Sequence, residues 1–388
     1  MSSLADPLQI RRIPIKNRIY MTAMHLNMCM DYEVSDPICA FYQRRAKGGA
    51  GAIAVGFVTV HPLGSMFSNI GAHDDRFIPG LRRLAASIAQ YDCKPIAQIN
   101  HQGRYAFSMF LDGESPVAPS AIPSKLTGET PRELTPGEIE ELVSLYAQTA
   151  RRCQEASFSM VEILCGTGYL ISQFLSPLTN QRQDEWGGNE ESRMRFGVEV
   201  VREVRRVTGE DYPIVIRMNG NDMMEGGMRG DSLRRFARAL QAAGADAFCI
   251  NVGWHEARVP QITMGVPPAN FAYLSRLMRE ELERPVIASH RINDPKDAQR
   301  LLREGFCDMV GLGRALIADP DWPLKALGLK EGPITHCIAC AQGCLDHVFT
   351  LQPVECLCNP EAGHELDGEI SLADTPKRIA VVGGGVAG

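Results

Sequence analysis

Five of the twelve cysteines in this 388-residue chain fall between positions 337 and 358. Cys337, Cys340 and Cys344 stand at Cys-x2-Cys-x3-Cys spacing, and Cys356 and Cys358 follow just before Asn359-Pro360. Three closely spaced thiolates can turn inward around one centre, with Cys356 arriving from a loop to close it. Zinc sites draw two separated Cys-x2-Cys pairs or add histidines. Three near thiolates and a distant fourth ahead of a proline instead follow iron–sulfur ligation, which points to a 4Fe-4S cluster on Cys337, Cys340, Cys344 and Cys356. Zinc, and packed or disulfide-bonded cysteines, are the alternatives. Cys358, two residues past Cys356, is expected to point away as a packed thiol.

Polar side chains recur at the ends of short apolar runs. Ala97-Gln98-Ile99-Asn100-His101-Gln102-Gly103-Arg104 is one such end, Ile216-Arg217-Met218-Asn219 a second and Val310-Gly311-Leu312-Gly313-Arg314 a third. In the last, the glycines leave backbone amides free at a turn into a helix and Arg314 adds a fixed charge, a combination suited to phosphate.

Elements must bring these ends together. Short β-branched runs alternate with longer amphipathic ones, the pattern of βα units on a parallel sheet. Eight strands are predicted, over 19–24, 52–60, 95–99, 160–164, 213–218, 247–251, 285–289 and 309–311. Thr135-Pro136-Gly137-Glu138 supplies a capping hydroxyl, a first-turn proline and a returning carboxylate, so a helix starts there. After Asn189, Met194, Val198, Val201 and Val204 recur at helical spacing with arginines on the other side. Eight such units closing on themselves give an α/β fold, a (β/α)8 TIM barrel with its chemistry at the carboxyl ends of the strands. A doubly wound open sheet is the alternative, but no glycine-rich turn follows the first strand. Residues 101–134 lack either period and carry many glycines and prolines. Such a long loop is expected to cover the barrel mouth, the bland reading being a disordered insertion.

A net charge of -6 and a pI near 5.9 argue against a polyanion-binding surface, so nucleic acid is excluded as a partner. Arg11, Arg12, Lys16 and Arg18 break the amino terminus before any secretory apolar core, and residues 50–60 are too short to span a bilayer, so no membrane partner is expected. Thiolates held for a cluster fit a reducing cytoplasm. Near the carboxyl end, Lys377-Arg378-Ile379-Ala380-Val381-Val382 reads as a strand, and Gly383-Gly384-Gly385-Val386-Ala387-Gly388 matches a dinucleotide fingerprint. The expected division is a barrel over 1–330, a cluster segment over 331–375, and over 376–388 the start of a truncated Rossmann-type FAD/NAD(P)-binding domain.

Gly168-Tyr169-Leu170-Ile171-Ser172-Gln173-Phe174-Leu175-Ser176-Pro177, with Thr179-Asn180-Gln181-Arg182 and Trp186-Gly187-Gly188, resembles the old yellow enzyme family of flavin oxidoreductases. The cysteine window resembles that family's iron–sulfur branch, which holds 2,4-dienoyl-CoA reductase, 2-enoate reductase and the trimethylamine dehydrogenase group. Trp254-His255-Glu256-Ala257-Arg258-Val259-Pro260 and Arg291-Ile292-Asn293-Asp294-Pro295 are most similar to bacterial 2,4-dienoyl-CoA reductase.

The resemblance implies FMN at the strand ends, with Ala23 and Met24 against the ring, Gln98 at its pyrimidine edge, Arg217 near N1, and Arg291, Gly313 and Arg314 on the phosphate. A cation beside N1 would make the flavin a readier electron acceptor. It also implies Tyr169 and His255 as catalytic residues, and electrons passing from NAD(P)H through FAD and the cluster to FMN, with FAD and NAD(P)H held in a portion beyond residue 388. A phenol, with an ordinary pKa of about 10, suits protonation of a growing enolate. Two departures matter. The His-His or His-Asn pair that many old yellow enzymes use on a substrate carbonyl is replaced by Leu164 and Thr167, and the position of the cysteine that attaches flavin in the amine dehydrogenases is His25. Cys29 is expected to be a buried thiol. Together these imply a reductase of conjugated C=C bonds in an acyl-CoA thioester, whether dienoyl, enoyl or aromatic, with a homo-oligomer as a further expectation. A 2-enoate reductase acting on free acids, an amine dehydrogenase and a non-catalytic electron-transfer module remain alternatives.

Overall fold

The computed structural model describes residues 2–368, 370, 371 and 373–384. Eight parallel strands close into a barrel: β1 (Ile19–Met21), β2 (Ala52–Thr59), β3 (Lys94–Asn100), β4 (Met160–Cys165), β5 (Ile214–Asn219), β6 (Ala247–Asn251), β7 (Val286–Ala288) and β8 (Met309–Leu312). The ring shuts where β8 pairs with β1 and β1 with β2. The predicted strands are all present, shifted by at most a few residues at their ends.

Side chains alternate across each strand, so Ala52, Ile96, Met160, Val215, Ala247, Ile287 and Met309 fill the barrel's interior and are fully buried. Ile10 and Ile15, from an antiparallel hairpin of Leu8–Ile10 with Ile13–Ile15, join the same cluster and plug one end of the barrel. Each isoleucine so buried stabilises the fold by about 1.5–3 kcal/mol. Two sides are therefore sealed and the carboxyl ends are left for chemistry.

Helices on the outside bury one face each. Pro136–Glu155 begins with the expected box: the Thr135 hydroxyl accepts from the Glu138 amide and the Glu138 carboxylate accepts from the Thr135 amide. Glu190–Thr208 is capped by Asn189 and buries Met194, Val198, Val201 and Val204 against the barrel. No helix among the described residues is long and apolar enough to cross a membrane.

Residues 101–134 are ordered. Turns at Gly103–Tyr105 and Ser108–Phe110 and a short pairing of Val117–Ala118 with Arg132–Glu133 build a lid whose Gln102, Tyr105, Phe107, Met109, Phe110 and Leu126 face the barrel mouth. The buried Arg104 guanidinium ties it down, donating to the Pro123 carbonyl at 2.8 Å and pairing with the equally buried Glu256.

The segment after the barrel docks on it through side-chain amides. Asn293 bonds Cys337 twice, its Nδ2 donating to the carbonyl at 3.0 Å and its Oδ1 accepting from the amide at 3.2 Å. Asn27 donates to the Gln352 carbonyl at 3.2 Å and Asn359 to that of Ile317 at 2.8 Å. Arg45, fully buried in the helix Asp36–Lys47, pairs with Glu365. The strand expected over 377–382 is not formed: these residues are exposed and pair with no strand among the described residues. A lone strand leaves its backbone groups without a ladder. The fingerprint residues Gly385, Val386, Ala387 and Gly388 lie outside the described residues.

Candidate functional site

A cavity of about 720 Å³ opens at the carboxyl ends of the strands. Ala23 and Met24 after β1, Gln98 in β3, Arg217 in β5, Arg291 after β7, and Gly313 and Arg314 after β8 all line it. Closure of the barrel brings together residues up to 291 positions apart (Ala23 and Arg314).

The cavity floor is a hydrogen-bonded layer inside the barrel. Gln98 Nε2 and Tyr20 Oη both donate to Glu162, each at 2.6 Å, one to each carboxylate oxygen. Glu162 is fully buried, and burial raises its pKa, against the opposing pull of Arg217 and the two donors. Arg217 donates to Asn251 Oδ1 at 3.2 Å. Glu162 was not anticipated; a carboxylate at an inward position of an otherwise apolar strand was the available signal.

Five buried polar atoms of the cavity-lining residues have no hydrogen-bond partner among the described residues: Gln98 Oε1, Tyr105 Oη, Thr167 Oγ1, Trp254 Nε1 and Arg314 Nη1. A buried polar atom left unpaired is costly and calls for a ligand. Close approach is also prepared at Gly313, where a Cβ would sit 2.9 Å from Thr22 Oγ1 and 3.2 Å from Met24 Sδ. His290 and Arg291 hold positive φ of 75° and 55°, turning the chain after β7 toward Arg314. An unpaired acceptor and cations lining one cavity could meet a flavin mononucleotide, Gln98 at the ring edge and Arg291 and Arg314 at the phosphate.

Above this floor, His255 Nε2 lies 3.1 Å from Tyr169 Oη. Tyr169 precedes the helix Leu170–Leu175 and packs edge-on against Phe57 and Tyr105, with ring centroids 5.2 and 5.9 Å away. Gly168 makes this packing possible: its φ is +90°, and a Cβ there would stand 2.5 Å from Tyr105 Oη. Burial raises the Tyr169 pKa well above the ordinary phenol value, so this proton is held more firmly than the sequence suggested. The protein packed around the His255 ring lowers its pKa to about 4, although its outer edge is open to the cavity. At neutral pH the pair is therefore a neutral imidazole beside a neutral phenol.

Loop contacts hold the pair. The His255 amide donates to the Thr167 carbonyl at 3.3 Å, and Glu256 beside it is anchored by Arg104. Leu164 and Thr167 both line the cavity, so an apolar side chain and a hydroxyl stand in place of the carbonyl-gripping pair. His25 lines it too, 3.1 Å from Ser68 Oγ, and Cys29 is buried as expected. Tyr105 and Phe57 are wall residues that periodicity did not reveal.

Cys337 and Cys344 also edge this cavity, and Cys337, Cys340, Cys344 and Cys356 line a second, small one together with Arg314. Cys358 lines the small cavity as well, contrary to the expectation that it points away: the chain turns at 356–359 rather than running as a strand, and the Cys358 amide donates to Cys356 Sγ at 3.4 Å. The thiols suit a cluster in kind. Among the described residues, no group of three or more His, Cys, Asp or Glu side chains is arranged to hold a metal ion.

Residues 3–330 match the NADH:flavin oxidoreductase / NADH oxidase family. The chain is 48% identical over its whole length to a metal reductase of Desulforamulus reducens and 31% identical over 99% of its length to a cinnamate reductase of Clostridium sporogenes, spanning 58% and 61% of those proteins. Among solved structures, it superposes on a 2-naphthoyl-CoA reductase bound to 2-naphthoyl-CoA with a TM-score of 0.91 and 34% identity, covering 94% of this chain and 58% of that one. The chain thus spans less than two thirds of the length of these relatives. With its closed barrel and the match over residues 3–330, it belongs to the NADH:flavin oxidoreductase / NADH oxidase family, the FMN-dependent old yellow enzymes.

Proposed function

We propose that this chain is the catalytic part of an FMN-dependent, NAD(P)H-driven reductase of conjugated C=C bonds in acyl-CoA thioesters, dienoyl, enoyl or aromatic. The observation that carries this reading is the Tyr169–His255 contact at 3.1 Å, set over a largely apolar cavity. FMN, when bound, would supply the hydride for the far carbon of the conjugated system.

The chain's own residues would do the rest. Gln98 and Arg217 orient the ring edge, and Arg291, Gly313 and Arg314 hold the phosphate. Tyr169 keeps its proton at neutral pH and gives it to the substrate carbon beside the carbonyl. His255, with its hydrogen on Nε2, donates to Tyr169 Oη and so leaves the phenol's own hydrogen aimed at the substrate. Phe57, Phe107, Phe110 and Leu126 exclude water from the conjugated chain. The cations lining the cavity besides the rim residue Arg258 are Arg217, Arg291 and Arg314, all assigned to FMN, which leaves a neutral thioester better matched to the inner cavity than a free carboxylate.

Cys337, Cys340, Cys344 and Cys356 would hold a 4Fe-4S cluster in a reducing cytoplasm, a reading supported by their spacing and their shared cavity. FAD and NAD(P)H would bind in a portion outside this chain. The relatives' names support a reductive role, and the 2-naphthoyl-CoA reductase supports a thioester.

The test is anaerobic mixing of the reduced, FMN-loaded protein with a dienoyl-CoA, an aromatic acyl-CoA, a free enoic acid and an N-methylated amine, following flavin absorbance and product. Reoxidation by a thioester with formation of the saturated bond is expected. Reoxidation by free acids alone, or reduction of the oxidised flavin by the amine, overturns the reading.

A further inference from the structure

The interior carboxylate has no part in the proton steps above. Glu162 sits in register with Gln98 on neighbouring strands and is surrounded by donors and charge rather than by solvent. The Gln98 NH2 faces this carboxyl group and donates to it, so the Gln98 carbonyl is turned the other way. That carbonyl oxygen is buried without a partner among the described residues, packed where Gly56 has no side chain; a Cβ there would stand 3.1 Å from it. Arg217, from β5, acts electrostatically on the same carboxylate and lines the same cavity.

We propose that Glu162 is a positioning residue for the flavin: its carboxylate turns the Gln98 amide so that Oε1 meets the cofactor's N–H edge, and its charge offsets that of Arg217, holding the FMN reduction potential down. With Glu162 neutral, Arg217 would favour negative charge on the reduced flavin without opposition. With Gln98 reversed, two N–H groups would meet and the edge contact would be lost. This rests on FMN filling the cavity and is independent of the substrate, so failure of the thioester reading leaves it standing.

Two variants separate charge from orientation. Glu162→Gln can still offer a carbonyl to Gln98 Nε2 and its NH2 to Tyr20 Oη, so it removes the charge and keeps the orientation. Its preference for reduced over oxidised FMN is expected to rise about tenfold, which for two electrons moves the potential up by about 30 mV. Its affinity for oxidised FMN should stay within about threefold of wild type. Glu162→Asp keeps the charge but withdraws from Gln98, and is expected to weaken FMN about tenfold with the potential unmoved. Potentials are read by anaerobic dye equilibration and affinities by FMN titration of the deflavinated full chain. An unshifted potential in Glu162→Gln overturns the proposal, as does wild-type FMN affinity in Glu162→Asp; should Glu162→Gln fail to fold, the aspartate variant decides.

Discussion

Tyr169 and His255 meet at 3.1 Å although 86 residues separate them, one after β4 and the other after β6. The bond joins a buried phenol, whose pKa burial raises, to an imidazole on an exposed residue, whose pKa the protein packed around the ring lowers to about 4. Removing the phenol's oxygen should therefore remove the proton donor while leaving the flavin in place. Tyr169→Phe is expected to lower the rate of C=C reduction about 10²-fold with FMN content unchanged, measured by stopped-flow reoxidation of the reduced protein.

The same pair predicts a flat pH profile. An ordinary histidine would bend the rate near pH 6.5. Here neither group titrates between that pH and the ordinary phenol range, so the reoxidation rate should vary less than about twofold from pH 6 to 9. A limb near pH 6.5 that vanishes in His255→Gln would show that the imidazole does charge.

Acid should destabilise the fold through another histidine. His101 is fully buried, accepts from the Gly103 amide at Nδ1, and has its pKa lowered to about 3 by burial. Its folded pKa lies below its unfolded one, so the unfolded state binds more protons as pH falls below about 6.5 and stability declines from there toward pH 3. The penalty for His101 is on the order of 5 kcal/mol at full effect. His101→Asn, which keeps an acceptor for Gly103, should flatten the fall in Tm between pH 6.5 and 4.5.

Arg104 and Glu256 form a buried pair that fastens the lid to the loop carrying His255. Truncating one partner strands the other charge, so Glu256→Ala should cost about 3 kcal/mol of stability and also raise KM for the substrate. The double variant Arg104→Met, Glu256→Leu should recover most of the stability and not the KM, because the loop is no longer held. Urea melts and steady-state kinetics distinguish the two.

The cysteines divide sharply. Cys337→Ser, Cys340→Ser, Cys344→Ser and Cys356→Ser should each abolish iron and labile sulfide in anaerobically purified protein, while Cys358→Ser should retain both. Loss of iron in Cys358→Ser with retention in Cys356→Ser would exchange their roles, since both thiols line the small cavity.

Much of this was legible in the chain. Eight β-branched runs alternating with amphipathic ones specify a closed parallel barrel because each period buries only one way, and the Thr135 and Asn189 caps mark helix starts by local hydrogen bonding. Gln98, Arg217, Gly313 and Arg314 could be named because they stand at or near strand ends, which barrel closure puts in one place, and Arg291 because its stretch resembles a known family. What only the tertiary structure decided depends on distances between segments: that Tyr169 touches His255, that Glu162 lies beneath Gln98, that Arg104 reaches Glu256, that Cys358 shares the cavity of Cys356. Burial decided the protonation states too. A phenol, an imidazole and a carboxylate have ordinary pKa values in sequence, and acquire shifted ones only when folding takes water away from them.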